Sequence, residues 1–335
     1  MKVSVMIPVF NKAPWVKEAI DSVLTGTFQD FEIVCVDDCS TDNSLEVLKS
    51  IDDPRMRIIQ LDKNRGPAGA ANAGIEACRG EYIVRMDADD IAMPDRLEVQ
   101  VAYLDQHPEV GASGGHLRLF GQRETIWPFP ITNEECMAQQ LFGVPVSQPA
   151  SIMRRSVLEE HHMRYGNDWP RFGEDWLFWI RVGKHTRFGS LDRPITLYRR
   201  HENNISQGRD RFEDYDHLIR EVFTFFGIPH TQEDIELHMM SMYLFKLRPT
   251  KERLHALREW QQRLINWNNK TGLFPEPALT NRLNKAWSGL FHYLPRFGTG
   301  VALEHLRASD SWPADRLLYL AKCRLNMLLG RIKSE

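Results

Sequence analysis

The 335-residue sequence has no apolar run approaching the roughly 18–20 residues that a membrane-spanning helix needs. It is poor in cysteine: Cys35, Cys39, Cys78, Cys136 and Cys323 are odd in number, scattered, and include no C-x-x-C pair. That pattern argues against a disulfide framework and a structural zinc site, and for thiols kept in a reducing compartment. No glycine-rich phosphate loop follows the first strand-like run, which continues instead into Pro8-Val9-Phe10-Asn11-Lys12. Both the G-x-G-x-x-G dinucleotide fingerprint and the Walker loop are therefore missing. The N-terminus, Met1 to Pro8, enters a strand pattern directly and lacks a secretory h-region, so a cytoplasmic location is expected. Nucleic-acid motifs are lacking as well, and no nucleic-acid partner is expected.

What is present is ample material for a core, with 42% hydrophobic and 26% charged residues, and a length suggesting two domains. The net charge of −3 conceals an asymmetry. Residues 1–240 hold 26 basic and 38 acidic residues, whereas 241–335 hold 16 basic and 7 acidic. An acidic first part and a basic tail suggest different partners.

The first hundred residues alternate strand and helix signals. Strands are expected at Val3–Ile7, Phe31–Val36, Arg57–Leu61 and Glu81–Met86. Helices are expected from Pro14, after a cap at Asp42 or Asn43, and at Ala68–Cys78. This interleaving implies βαβ crossovers and an α/β fold with a mostly parallel sheet. Residues 112–201 are less regular, with one clear helix from Glu174 to Gly183. Beyond Arg209 the pattern turns helical, at Tyr215–Phe226, Gln232–Leu247, Lys251–Trp267, Leu279–Tyr293 and Pro313–Leu329, punctuated by Pro and Gly.

Ligands of open α/β sheets bind beyond the carboxyl ends of the strands. There the sequence places Asn11, then Asp37-Asp38, then Asp87, Asp89 and Asp90. Carboxylates crowded on one rim repel unless a cation joins them, and hard oxygen donors suit Mg²⁺ or Mn²⁺ bridging to phosphates. Strand termination and helix capping are the competing use of such residues, and the one favoured for Asp42.

These residues also carry a family resemblance. Val5-Met6-Ile7-Pro8-Val9-Phe10-Asn11, Val36-Asp37-Asp38-Cys39-Ser40-Thr41-Asp42, Asn64-Arg65-Gly66 with Ala70-Ala71-Asn72-Ala73-Gly74, and Met86-Asp87-Ala88-Asp89-Asp90 with Pro94-Asp95-Arg96 resemble the family 2 glycosyltransferases. Phe172-Gly173-Glu174-Asp175-Trp176 looks like that family's Glu-Asp motif, and Tyr198-Arg199-Arg200-His201 resembles its closing segment. The resemblance covers about residues 1–207. It implies a GT-A-type, Rossmann-like mixed sheet flanked by helices, an inverting mechanism and a nucleotide-sugar donor, UDP-linked most often.

Carried over, it places the donor's base at Asp38, Pro8 and Phe10, with Asn11, Arg65, Asp87 and Ala88 also on the donor side. Arg65 is equally readable as a solvated loop residue. Asp87 and Asp89 would form the D-x-D element on a divalent metal, Mn²⁺ or Mg²⁺, with Asp90 able to replace either and His201 approaching from the far side. Asp175 would be the general base that takes the acceptor hydroxyl's proton. Glu174, Trp176, Trp169 and Gln148 are assigned to the acceptor side; Trp169, Trp176 and Trp179 offer either faces for a sugar ring or plain packing. Gln148 stands where many relatives carry His, which weakens inference about the acceptor. The resulting organisation is a catalytic domain over 1–210, with a donor half to about 110 and an acceptor half beyond it, followed by a helical region over 211–335.

The tail is read without the resemblance. Arg248, Lys251, Arg253, Arg258 and Arg263 interleave with Leu254, Leu257, Trp260, Leu264 and Trp267, and Leu317–Leu329 repeats the pattern. Such helices either pack on a domain with basic solvated faces or meet an anionic membrane surface, a lipid-linked acceptor or a second copy of the chain. A peripheral position at the inner membrane face is the matching location. The competing functions are a metal-dependent nucleotidyltransferase, which would want a basic glycine-rich loop after the first strand, and a non-catalytic nucleotide-sugar-binding module, which has no need of Asp175.

Overall fold

The apolar runs near the N-terminus form the parallel part of one mixed sheet. The computed structural model describes residues 1–121, 124–166, 168–200, 211–309 and 314–328. Strands β1 (Val3–Val9), β2 (Phe31–Asp37), β3 (Met56–Gln60) and β4 (Tyr82–Arg85) are followed by β5 (Ile91–Ala92), β6 (Val110–Gly121), β7 (Thr125–Trp127), β8 (Ile152–Arg154) and β9 (Arg187–Arg200). Their order is β3-β2-β1-β4-β8-β6-β9-β5, with β7 beside β6. The pairs β3–β2, β2–β1 and β1–β4 are parallel; β4–β8 and β8–β6 are antiparallel. All four leading strands therefore deliver their carboxyl ends to one rim.

Helices α1 (Val16–Leu24), α2 (Ser44–Lys49), α3 (Gly66–Ala77), α4 (Arg96–Gln106), α5 (Asn133–Gln139), α6 (Arg155–Glu160) and α7 (Glu174–Val182) complete this part. Parallel strands are covered on both faces and read as continuous apolar runs. Val3, Val5, Ile7 and Val9 pack with Val16, Ala19, Ile20 and Val23 of α1 and Leu97, Val101 and Leu104 of α4. Met6, Val34 and Val36 face the other way, into a cluster with Ala70, Ala71 and Ile75 of α3 and Phe178, Trp179 and Val182 of α7. The small residues of α3 allow close approach: a Cβ on Gly74 would stand 2.4 Å from Met6 Sδ.

The expected α/β class holds, with several shifts. Residues 112–201 contain two long strands, β6 and β9, paired in parallel with register shifts that hide their periodicity in the sequence. Helix α2 takes Asn43 as N-cap without a side-chain bond, while Asp42 accepts from the Ser44 and Ala13 backbone N–H groups at 3.0 and 3.1 Å. Four cysteines are buried and Cys39 is partly exposed.

The backbone divides into two compact units, Met1–Arg209 and Asp210–Glu335. The second contains α8 (Phe212–Phe226), α9 (Gln232–Ser241), α10 (Lys251–Thr271), α11 (Ala278–Leu290), α12 (Thr299–Arg307) and α13 (Ala314–Leu328). Helix α9 stops six residues earlier than its pattern suggests, because Tyr243 adopts a left-handed φ of 67°. Helix α12 was absent from the sequence expectation. Within this unit Leu254, Leu257, Trp260 and Leu264 are buried, while Trp267 is half-buried. The interleaved arginines lie outside that stripe; Arg263 meets Asp234, and Arg258 stands 4.8 Å over the Trp287 ring.

Candidate active site

At the end of β1 the chain turns through Asn11, whose φ is 53°, and at the end of β2 through Cys39, at 60°. Left-handed non-glycine residues of this kind persist where the surroundings hold them. Asn11 Oδ1 accepts from the N–H groups of Thr41 at 2.8 Å and Asp42 at 3.3 Å, and Asn11 N donates to Ser40 Oγ at 3.1 Å. Asn11 is thus a brace between two loops. The Phe10 ring, 43% exposed, remains open on the rim.

Asp38 is buried beside them. Its N–H donates to Val9 O at 2.8 Å, and its Oδ1 accepts from Arg65 N at 2.6 Å. Burial raises its carboxyl pKa, opposed by backbone N–H groups of Arg65 and Gly66 and by the charge of Arg171. Arg65 therefore serves Asp38 through its backbone. Its guanidinium turns to the exposed Asp62 at 2.8 Å, which fits the solvated-loop alternative. Arg171 donates to Asn64 Oδ1 at 3.1 Å and so spans from the segment before α7 to the loop before α3.

The acidic loop follows β4. Ala88, Asp89 and Asp90 are buried, and Asp87 is the most open of the three carboxylates at 36% side-chain exposure. Asp89 is in contact with the Lys12 ammonium, which also stands 5.4 Å over the Trp15 ring. Asp90 Oδ1 accepts from Arg199 N at 3.0 Å, whereas its Oδ2 has no hydrogen-bond partner among the described residues. Burial together with the charges of Asp87 and Asp89 pushes Asp90 well above the usual carboxylate range. Asp87 is also raised, by desolvation first and by Asp89. No group of three or more His, Cys, Asp and Glu side chains converges as a metal cluster among the described residues. His201 lies outside the described residues. The donor set still fits a hard cation, since Mg²⁺-type ions are commonly held by one or two carboxylates plus substrate phosphates.

Across the rim, Gly173 takes a φ of 81° and caps α7, which opens with Glu174 and Asp175. Glycine accepts that conformation without a Cβ clash. Asp175 Oδ1 accepts from Trp176 N at 2.9 Å. Burial and the charge of Asp175 push Glu174 up to about 8, and burial raises Asp175 too. Arg85 acts in the opposite direction on both carboxylates and on Asp87.

The tryptophans need correction. Trp176 is 3% exposed and donates through Nε1 to Gln140 O at 2.7 Å, and Trp179 is fully buried; both are core, because α7 turns that face inward. Trp169 is half-buried, edge-on to Tyr165 at 6.2 Å, with the Arg181 guanidinium 4.5 Å over its ring. Gln148 is buried and bonded through Nε2 to the Tyr165 hydroxyl. Lys12, Arg85, Tyr165 and Arg171 are site residues the sequence reading missed; only the position of Arg85, charged at the end of an apolar strand, was a usable signal.

A family model described as glycosyl transferase family 2 matches residues 4–162. An uncharacterized glycosyltransferase of Haemophilus influenzae is 30% identical over 239 residues, spanning 67% of this chain and 74% of that protein. The chain belongs to glycosyl transferase family 2. This glycosyltransferase is also 35% identical over 192 residues to the succinoglycan biosynthesis protein ExoO of Rhizobium meliloti, spanning 52% of the chain and 53% of that protein. Three further relatives, uncharacterized glycosyltransferases of Rickettsia species, are spanned over about a third of their length.

Among solved structures, S. aureus TarS 1-349 in complex with UDP-GlcNAc superposes with a TM-score of 0.57 at 18% identity, over 99% of this chain and 93% of that one. The mannosyltransferase PcManGT from Pyrobaculum calidifontis, in complex with GDP-Man and Mn²⁺, gives 0.54 at 17% identity, over 99% and 88%. These likenesses establish the GT-A-like fold. The family match ends before Glu174 and Asp175, so the roles of those residues rest on geometry. No helix among the described residues is long and apolar enough to cross a membrane.

Proposed function

We propose that this glycosyltransferase moves a sugar from a nucleoside-diphosphate sugar, UDP-linked by preference, to a hydroxyl of a saccharide or lipid-linked saccharide, with inversion at the anomeric carbon. The observation that carries the reading is buried Arg85, which lies 3.8 Å from Asp87 and bonds to Tyr165, whose ring stacks on Phe178 of the helix that Glu174 and Asp175 open. A donor-side acid and a base-side acid on one rim are what single in-line displacement requires.

In this reading Asp38, fixed by the Arg65 backbone, accepts the imide N–H of the base, and the open Phe10 ring flanks it. Asp87 and Asp89 would hold a divalent cation, Mn²⁺ or Mg²⁺, together with the diphosphate. When bound, that ion neutralises charge gathering on the leaving nucleoside diphosphate. Asp175 takes the proton as the acceptor oxygen attacks, while Gln148 and Trp169 border the acceptor side. The first unit is the catalytic domain. The second supplies acceptor, membrane-surface or homodimer contacts through its basic helical faces. Likeness to ExoO supports a place in polysaccharide or glycoconjugate biosynthesis.

The test is a thermal-shift panel of nucleotide sugars with Mn²⁺, since a ligand that binds the folded state raises apparent stability. Turnover of the stabilising donor follows. Asp175→Asn is expected to retain donor binding and lose about 10²–10⁴-fold in kcat. Wild-type turnover in Asp175→Asn removes the base assignment, and a product of retained anomeric configuration removes the inversion.

A further inference from the structure

Arg85 is the last residue of β4, immediately before the acidic loop, and is 5% exposed. A buried guanidinium is costly unless its N–H groups are satisfied. Two other arginines of this unit meet that demand, whereas buried Arg96 has an Nη1 without an acceptor among the described residues. Arg57 places Nε and Nη2 on Glu32 and reaches Ala77 O, and Arg154 donates to the carbonyls of Val110, Leu104 and His107. Arg85 does not. Its Nη1 donates to the Tyr165 hydroxyl at 3.3 Å, its Nη2 lies 3.8 Å from Asp87 Oδ1, and its Nε has no acceptor among the described residues.

The scaffold around it is specific. Gln148 Nε2 donates to the same Tyr165 hydroxyl, and the Tyr165 ring stacks on Phe178 at 4.3 Å with 6° between planes. Phe178 lies on α7 three residues beyond Asp175. The arginine is thus held by side chains that also fix the helix carrying the proposed base.

We propose that Arg85 is a positioning residue for transfer: its guanidinium, held by Tyr165 and Gln148, sets the placement of donor-side Asp87 relative to base-side Glu174 and Asp175. The inference rests on the glycosyltransferase mechanism given above and adds a residue to it. A fork left incomplete on the core side keeps its charge available to Asp87, 3.8 Å away, beside the helix that Glu174 and Asp175 open. It also supplies the positive charge that opposes burial at Glu174 and Asp175.

The experiment uses the full chain and measures nucleoside diphosphate release from UDP-N-acetylglucosamine, UDP-glucose and GDP-mannose in Mn²⁺, with water as acceptor. Arg85→Gln is expected to lower kcat by about 100-fold with donor KM unchanged, and Arg85→Lys, which keeps the charge without the fork, to recover part of that loss. Tyr165→Phe removes only the hydroxyl and serves if Arg85→Gln does not fold; it is expected to lower kcat with donor KM unchanged. Wild-type kcat in Arg85→Gln, or in Tyr165→Phe, overturns the proposal. So does a loss shared equally by kcat and donor binding, which describes a merely structural residue. Asp175→Asn measured alongside separates the two readings: wild-type turnover there sinks the mechanism, whereas its loss beside full activity in Arg85→Gln sinks only the role of Arg85.

Discussion

Glu174 and Asp175 open a helix whose dipole favours negative charge, yet burial outweighs that benefit and holds both carboxyls above their ordinary range. Glu174 is pushed from 4.5 to about 8. A carboxyl whose folded pKa exceeds its unfolded one binds more protons when folded. Its contribution to stability is complete below pH 4.5 and is lost as the pH climbs to about 8. Glu174→Gln is therefore expected to show a flatter dependence of Tm on pH across that window, with its advantage over the wild type growing toward pH 8. Calorimetry from pH 4.5 to 8.5 checks this, and parallel curves for the two proteins would refute it. At this scale the sequence revealed the acids and concealed the base partners. Asp38 and Asp87 stand where apolar runs stop and Asp175 where one begins, which is visible in one dimension. Arg85 and Tyr165 meet only when β4 and the segment before α7 are folded together, and no local pattern encodes that.

Helix α3 shows how closely an element is tied to the strand beneath it. Gly74 leaves Met6 the space its side chain occupies, with both residues in one buried layer between α3 and β1. Gly74→Ala is expected to destabilise the protein by about 1–3 kcal/mol, because the added methyl meets a fully buried neighbour. Combining it with Met6→Ala should give less than the sum of the single effects, as read by chemical denaturation; full additivity would show that the two do not compete for the space. Elements with strict periodicity were legible: α1, α3, α7 and the first four strands lie within a few residues of expectation. Those that failed have a stated cause. Strands β6 and β9 are interrupted by register shifts, α9 is cut short by the left-handed Tyr243, and α12 lies among Pro295, Gly298 and Gly300, which read as punctuation.

On the scale of the whole molecule, each compact unit has a core of its own, one a sheet between helices and the other all helical. The charge contrast between the acidic first part and the basic tail follows from composition alone. A property of the complete chain also follows from the bend after β2. Of the five cysteines, Cys39 is the partly exposed one, held at a left-handed φ beside Asp38, while Cys35 and Cys78 are buried with their thiols pushed up to about 12. Thiolate, not thiol, reacts with electrophiles, so the buried thiols are silent in the native state. The folded enzyme is expected to take up one equivalent of maleimide and the denatured chain five, with a nucleoside diphosphate slowing the native reaction; mass spectrometry of the labelled peptide reads the site, and equal uptake in both states would contradict it. The strained turn between the loops after β1 and β2 thereby gives the protein a single addressable position for a fluorophore without any engineered residue, one that would report donor occupancy in the proposed reading.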